Sequence, residues 1–167
     1  MEMSGAVRKL LNEAAIVTEA EASGAPAPGV RLRMVLLGDN QGQLQVICCH
    51  DDLLDLVGLN KQLGRELRLV SRADYTRLLR PTGLEGLPAL PGLTGWPTLI
   101  DSRVAGAGRL VIEPVGRDAR LTLDQAEFRT LAGQPEERSF CVPLAEIDAV
   151  PRTPERDQEQ VFSAIQR

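Results

Sequence analysis

The sequence predicts a mixed α/β domain, a curved mixed β-sheet or open barrel flanked by helices. Three observations carry that prediction. Strand-like and helix-like segments alternate without strict strand–helix–strand order, the strand-like segments are short, and the apolar residues are mainly aliphatic. Of 167 residues 43% are hydrophobic but only 3% aromatic, so the core is built from Leu, Val, Ile and Ala. A chain of this length forms one domain and buries about 70% of its unfolded surface, with no need of a disulfide or metal staple.

The elements follow in order. Ser4 is a helix N-cap, and Val7, Leu10, Leu11 and Ala14 form one helical stripe behind it. "AIVTEA" (15–20) reads as a short strand and "SGAPAPG" (23–29) as a loop. Residues 30–37 and 43–49 form a hairpin around "GDNQG". On its first arm Arg31, Arg33, Val35 and Leu37 share a face, as do Leu44, Val46 and Cys48 on the second. "HDDLLDLVGLNKQLG" reads as a helix capped by Asp51 or Asp52 and ended by Gly64. "RELRLV" is a strand, and "SRADYTRLLR" a short helix with Ser71 and Asp74 at capping-box spacing, stopped by Pro81. "PTLID" is a strand ending in Asp101. "GRLVIEPVG" and "ARLTL" form an antiparallel pair, and "DQAEFRTLAG" is a helix capped by Asp124 with Glu127 at its third position. "SFCVPL" closes the domain as a last strand. The domain is expected over 1–142, and the polar, proline-bearing 143–167 as a linker or tail leading to a protein partner or a second domain.

Charge and cysteine content exclude several function classes. The net charge of −4 argues against a generally basic nucleic-acid binder. One segment departs from that balance. Residues 61–80 carry Lys61, Arg65, Arg68, Arg72, Arg77 and Arg80 against Glu66 and Asp74, which is either a phosphate-binding face or ordinary surface charge. With 3 cysteines and 1 histidine, and no CxxC, neither a disulfide framework nor a zinc site is expected. Cys48 and Cys49 point to opposite faces of a strand and read as buried thiols. Cys49 and His50 have poor geometry for a nucleophilic pair. No apolar run reaches signal-peptide or membrane-spanning length, so the expected location is the cytoplasm. No cofactor and no metal are expected.

Between helix and strand lies "TGLEGLPALPGLTGW" (82–96), a Gly/Pro-rich stretch that is either a connector or the backbone wall of a small pocket. Trp96, the only tryptophan, either covers such a pocket or packs in the core.

The order of these elements, with "DLVGLNKQLGRELRLVSRADYTRLLRPTG", "PTLID" and "RLVIEPVGRDARLTLDQAEF", resembles the YbaK family, also called the prolyl-tRNA-synthetase-associated editing domain. The resemblance runs from about residue 4 to residue 132. It implies a small α/β fold that hydrolyses wrongly charged aminoacyl-tRNA, and makes the tRNA acceptor end the expected partner. In the family a lysine on the first hairpin arm and a Gly-Gly-x-Ser-Pro-x-Gly-like loop hold the aminoacyl ester while water attacks its carbonyl.

By this resemblance the lysine position falls on Arg33, with Arg31 as the alternative, and Asp101 matches the strand-end acid that would orient the pocket. Thr82, Gly83, Gly86 and Gly92 match the loop, while Leu87 stands for its second glycine and Ala89 for its serine. Arg65, Arg68 and Arg72 are candidate tRNA contacts. Arginine is a wide planar fork that does not substitute simply for lysine in a tight site. Leu87 would narrow a cleft that needs close backbone approach, and "EPV" (113–115) replaces a Ser/Gly-Gly turn. These departures imply weak or lost hydrolysis. They leave a second reading open, a non-catalytic tRNA- or ligand-binding sensor like the degenerate members fused to HDOD-type signalling domains.

Overall fold

A computed structural model describes residues 2–144 apart from Ala25 and Ala27. Strand β1 (Glu2–Met3) leads into α1 (Gly5–Glu13), whose first turn is capped by the Ser4 hydroxyl accepting the Ala6 N–H at 3.2 Å. Next come β2 (Glu21–Ala22), the hairpin β3 (Val30–Asp39) and β4 (Gly42–Cys49), and β5 (Asp52–Leu54). Helix α2 (Leu56–Leu63) and β6 (Arg68–Leu69) precede α3 (Arg72–Leu79), capped by Ser71 as expected. After the Gly/Pro-rich stretch come β7 (Thr98–Asp101), α4 (Ser102–Ala105), the hairpin β8 (Arg109–Arg117) and β9 (Ala119–Asp124), and α5 (Gln125–Ala132). Helix α5 carries the expected capping box between Asp124 and Glu127. Strands β10 (Glu136–Arg138) and β11 (Cys141–Pro143) end the described chain.

The fold is a mixed α/β structure around one large sheet, and it is not a closed barrel. The sheet runs β10-β7-β4-β3-β8-β9-β2, with β1 added on β8 and β6 on β3. β10 and β7, β7 and β4, and β3 and β8 pair parallel, and the remaining neighbours pair antiparallel. A two-stranded sheet joins β5 to β11.

Alternation along the β3–β4 hairpin divides the core in two. Leu32, Met34, Leu36 and Ile47 join the larger cluster, with Val7 and Leu11 of α1, Tyr75 and Leu79 of α3, and Phe128 of α5. Val35, Leu37, Leu44, Val46 and Cys48 face the other way, onto Leu59 of α2, Leu54 and Phe140. Both clusters are nearly all aliphatic, in keeping with the composition.

Three local expectations are corrected, and two elements are added to those expected. Residues 15–20 form no strand: Ala15 turns with φ 56°, and Val17 is 95% exposed. Helix α2 is capped by Asp55 rather than Asp51 or Asp52, because Asp52–Leu54 is drawn into pairing with Cys141–Pro143. "RELRLV" is a strand only at Arg68 and Leu69, with one further bond to β3 from the Val70 N–H. Strand β10 and helix α4 carry no apolar periodicity; β10 is the polar edge beside β7, and α4 is capped by the Asp101 carboxylate. The expected tail lies outside the described residues from 145 onward, and Pro143 belongs to β11. No helix of the described residues is long and apolar enough to cross a membrane.

Candidate functional site

The parallel pairing of β3 with β8 is short. It covers Val30 with Leu110 and Arg31 with Val111, after which the strands part. β8 then breaks its register with β9 between Ile112 and Gly116. In the gap lies a cleft of about 310 Å³, lined on one side by residues 31–35 of β3 and on the other by Glu113 and Pro114. Gly86 and Leu87 of the Gly/Pro-rich loop also line it, together with Ser23 and His50.

Hydrogen-bond parity sets what β3 presents to this cleft. The Arg31 carbonyl accepts the His50 N–H at 2.7 Å, so residues 31, 33, 35 and 37 turn their backbone groups toward β4. Leu36 points the other way, and its carbonyl accepts the Val70 N–H at 3.1 Å. By the same alternation the N–H and C=O of Met34 face the cleft. A length of strand edge therefore forms one wall, able to bond a ligand through main-chain donors and acceptors.

The two cleft arginines are each held by a hydrogen bond, Arg31 to a carboxylate and Arg33 to a main-chain carbonyl. The Arg31 guanidinium donates to Glu113 Oε1 from Nε at 2.9 Å and lies 2.8 Å from it through Nη2. Arg33 is 6% exposed. Its residue contributes to the cleft wall, but its Nη2 donates to the Asp52 carbonyl at 2.6 Å, while Nε and Nη1 have no partner. Asp52 in turn accepts Arg103 Nε on its carboxylate at 2.6 Å. Burial first, and then the Asp52 charge, push the Cys49 thiol up to about 11, so a Cys49–His50 nucleophile has no support at neutral pH.

Asp101 is buried and does not line the cleft. Its Oδ1 accepts the N–H groups of Phe140 at 2.9 Å and Cys141 at 3.0 Å, and its Oδ2 that of Arg103 at 3.0 Å. The strand-end acid thus braces the final strand to β7 and α4.

The loop residues divide. Gly86 and Leu87 are at the cleft, where a Cβ on Gly86 would lie 3.7 Å from the Pro114 ring. Leu87 leaves the cleft open because its side chain packs in the larger core cluster and its N–H is held by the Tyr75 hydroxyl at 2.8 Å. Burial raises the pKa of that hydroxyl, against the opposing effect of the Leu87 bond. Ala89 is buried in the core, and a Cβ on Gly92 would come within 2.6 Å of Leu10 Cδ1, the movable end of that side chain. Trp96 is partly buried against the same core. Thr82 and Gly83 line a broader depression of about 1090 Å³ with the start of α1, Arg80 and Arg117. That depression shares Ser23 and Pro114 with the cleft.

On the basic segment Arg68 and Arg72 are exposed. Arg65 is half-buried and holds Asp39 through Nη2 at 2.6 Å and Nε at 2.8 Å. Among the described residues no three His, Cys, Asp or Glu converge as metal ligands.

The structure therefore gathers Arg33, Gly86 and Leu87 at one cleft, and sends Asp101, Ala89, Gly92, Thr82 and Gly83 elsewhere. Sequence reasoning missed the strand edge at Met34, the Glu113 partner of Arg31 and the Tyr75 anchor. The arginine spacing on β3 and the "EPV" run hinted at the first two, but nothing local pointed to Tyr75.

Comparison with known proteins gives the following. The family described as "Aminoacyl-tRNA editing domain" matches residues 12–131. A crystal structure of a "putative signal transduction protein" from Marinobacter aquaeolei VT8 is 38% identical, with a TM-score of 0.81 over 99% of this chain. The chain spans only 37% of that protein's length. A "putative trans-editing enzyme for prolyl tRNA synthetase" shares the fold, with a TM-score of 0.67 at 16% identity over 83% of this chain and 98% of its own. No curated protein shows significant similarity to the chain.

Proposed function

The chain belongs to the aminoacyl-tRNA editing domain family, and from that premise we propose that its cleft receives the aminoacyl ester at the 3′ end of a charged tRNA and holds it with weak or no hydrolysis. The observation that carries this reading is the strand edge at Met34, facing a cleft large enough for a small aminoacyl group. Main-chain groups there can bond the amine or carbonyl of the ester. The exposed Arg68 and Arg72 offer phosphate contacts for the tRNA, and the cytoplasm is where such a substrate is met.

Weak hydrolysis follows from the electrostatics. Rapid ester cleavage needs a preorganised positive group aimed at the developing oxyanion. Arg31 is neutralised by Glu113, and Arg33 is drawn to the Asp52 carbonyl. A second reading, that the domain serves as the ligand-sensing part of a larger signalling protein, is favoured by the 38% identity to a protein nearly three times its span.

The test is to mix the protein with proline-specific tRNA mischarged with alanine, and to follow both complex formation and alanine release. Binding with release close to the buffer rate is the expected result, and Arg33→Lys is expected to raise that rate. Release at an enzyme-like rate that Arg33→Ala abolishes overturns the weak-hydrolysis reading. Absence of any complex overturns the binding reading.

A further inference from the structure

On the face of β3 and β4 turned toward α2, the Cys141 thiol donates to Cys48 Sγ across 3.0 Å. Both are free thiols. They come from strands 93 positions apart in the chain and lie in or against one core cluster. Three features hold them in place. Cys48 sits one pair from the end of the β3–β4 ladder, paired with Arg33. Cys141 is fixed through its backbone, whose N–H is bonded to Asp101 Oδ1 and whose strand pairs with Leu54. The Arg33 guanidinium, buried with Nε and Nη1 without a partner, acts electrostatically on Cys141 in the direction that favours its thiolate.

We propose that Cys48 and Cys141 form a reversible disulfide on exposure to a peroxide, a redox modification site that clamps the final strand β11 onto β4. Sulfurs at this separation need close by only about 1 Å to reach the bonded length of roughly 2.05 Å. Cys141 is the partly exposed member and Cys48 the fully buried one, so Cys141 meets the oxidant. Its sulfur attacks one peroxide oxygen, giving Cys141 sulfenic acid and one water. The Cys48 sulfur then attacks the sulfenic sulfur, forming the S–S bond and releasing the second water. Two thiols are oxidised and one peroxide is reduced, with both thiol protons leaving in water.

Burial, and then the Cys48 contact, raise the Cys141 pKa, so little thiolate is present and the oxidation is slow. The Arg33 charge opposes that shift without cancelling it, because burial and the Cys48 contact dominate. Arg33 and Asp101, the two residues that resemblance assigns to catalysis, thus acquire a second role as positioning residues of this thiol pair. The inference stands apart from the tRNA reading and does not need the cleft to be occupied.

The test uses the reduced full chain and hydrogen peroxide as the probe. After treatment, free thiols are alkylated and the digest is mapped, in the native protein and in Cys49→Ser, which removes the ambiguity of the adjacent cysteine. The expected product is a Cys48–Cys141 link with Cys49 alkylated, reversed by dithiothreitol, and a Tm higher by roughly 10 °C. The link is lost in Cys141→Ser, and it forms several-fold more slowly in Arg33→Met. A link through Cys49, bonds only between chains, over-oxidised Cys141 without a link, or unreacted thiols would each overturn the proposal. An unchanged rate in Arg33→Met would remove Arg33 from it.

Discussion

Arg65 holds Asp39 with two nearly parallel hydrogen bonds, Nη2 to Oδ1 at 2.6 Å and Nε to Oδ2 at 2.8 Å, across the end of the β3–β4 hairpin. The Gln41 N–H adds a third bond at 2.8 Å. The guanidinium bond is the main cause that holds the Asp39 carboxyl at about 2, below its ordinary 3.8. A carboxyl whose pKa is lower when folded stabilises the fold above its unfolded pKa, and that stability fades as pH falls through the folded value. Urea unfolding between pH 5 and pH 2 is expected to show Asp39→Asn less stable than the native chain at pH 5, with the gap closing toward pH 2. A gap independent of pH would show that the pair does not act through this ionisation.

The same pairing engages Arg65, so among the proposed tRNA contacts the exposed Arg68 and Arg72 are the ones to test. Replacing both with Ala is expected to weaken tRNA binding and to flatten the slope of log affinity against log salt by roughly 1 for each lost phosphate contact. Binding titrations at several salt concentrations measure this. An unchanged slope would place the tRNA on another face.

Tyr75 anchors the cleft wall through the Leu87 N–H at 2.8 Å. Tyr75→Phe keeps the ring in the core but leaves that buried N–H without its acceptor, which costs about 1–3 kcal/mol. Chemical denaturation checks the magnitude. A loss below about 0.5 kcal/mol would mean that water or another group satisfies the amide.

Gly116 pairs with Met3, and a Cβ there would overlap the Glu2 carbonyl oxygen. Gly116→Ala is expected to push β1 off β8 at a cost of about 1–3 kcal/mol. The Ser4 N–H, bonded to the Val115 carbonyl at 2.8 Å, should then exchange with solvent faster. Unchanged protection of that amide would show that β1 shifts without detaching.

By itself the sequence determined the fold class and the elements whose causes are local. The 30–49 hairpin follows from strand alternation around a Gly/Asn turn. Helices α1, α3 and α5 follow from stripes behind Ser4, Ser71 and Asp124, where each cap bonds an amide two or three residues away. The editing-family resemblance was also legible, because it rests on the order of such elements. The tertiary structure decided everything that depends on distant partners. Asp52–Leu54 became a strand because Cys141–Pro143 lies beside it. Asp101 became a brace because two amides from residues 140 and 141 reach its carboxylate. The cleft exists because β3 and β8 pair for two residues and then separate, a divergence that neither strand's own pattern encodes. Alternation could place Arg33 on a face, but the direction of its guanidinium was settled by the Asp52 carbonyl. A side chain's hydrogen-bond partners are set by how remote segments pack, whereas propensity and capping act within a few residues.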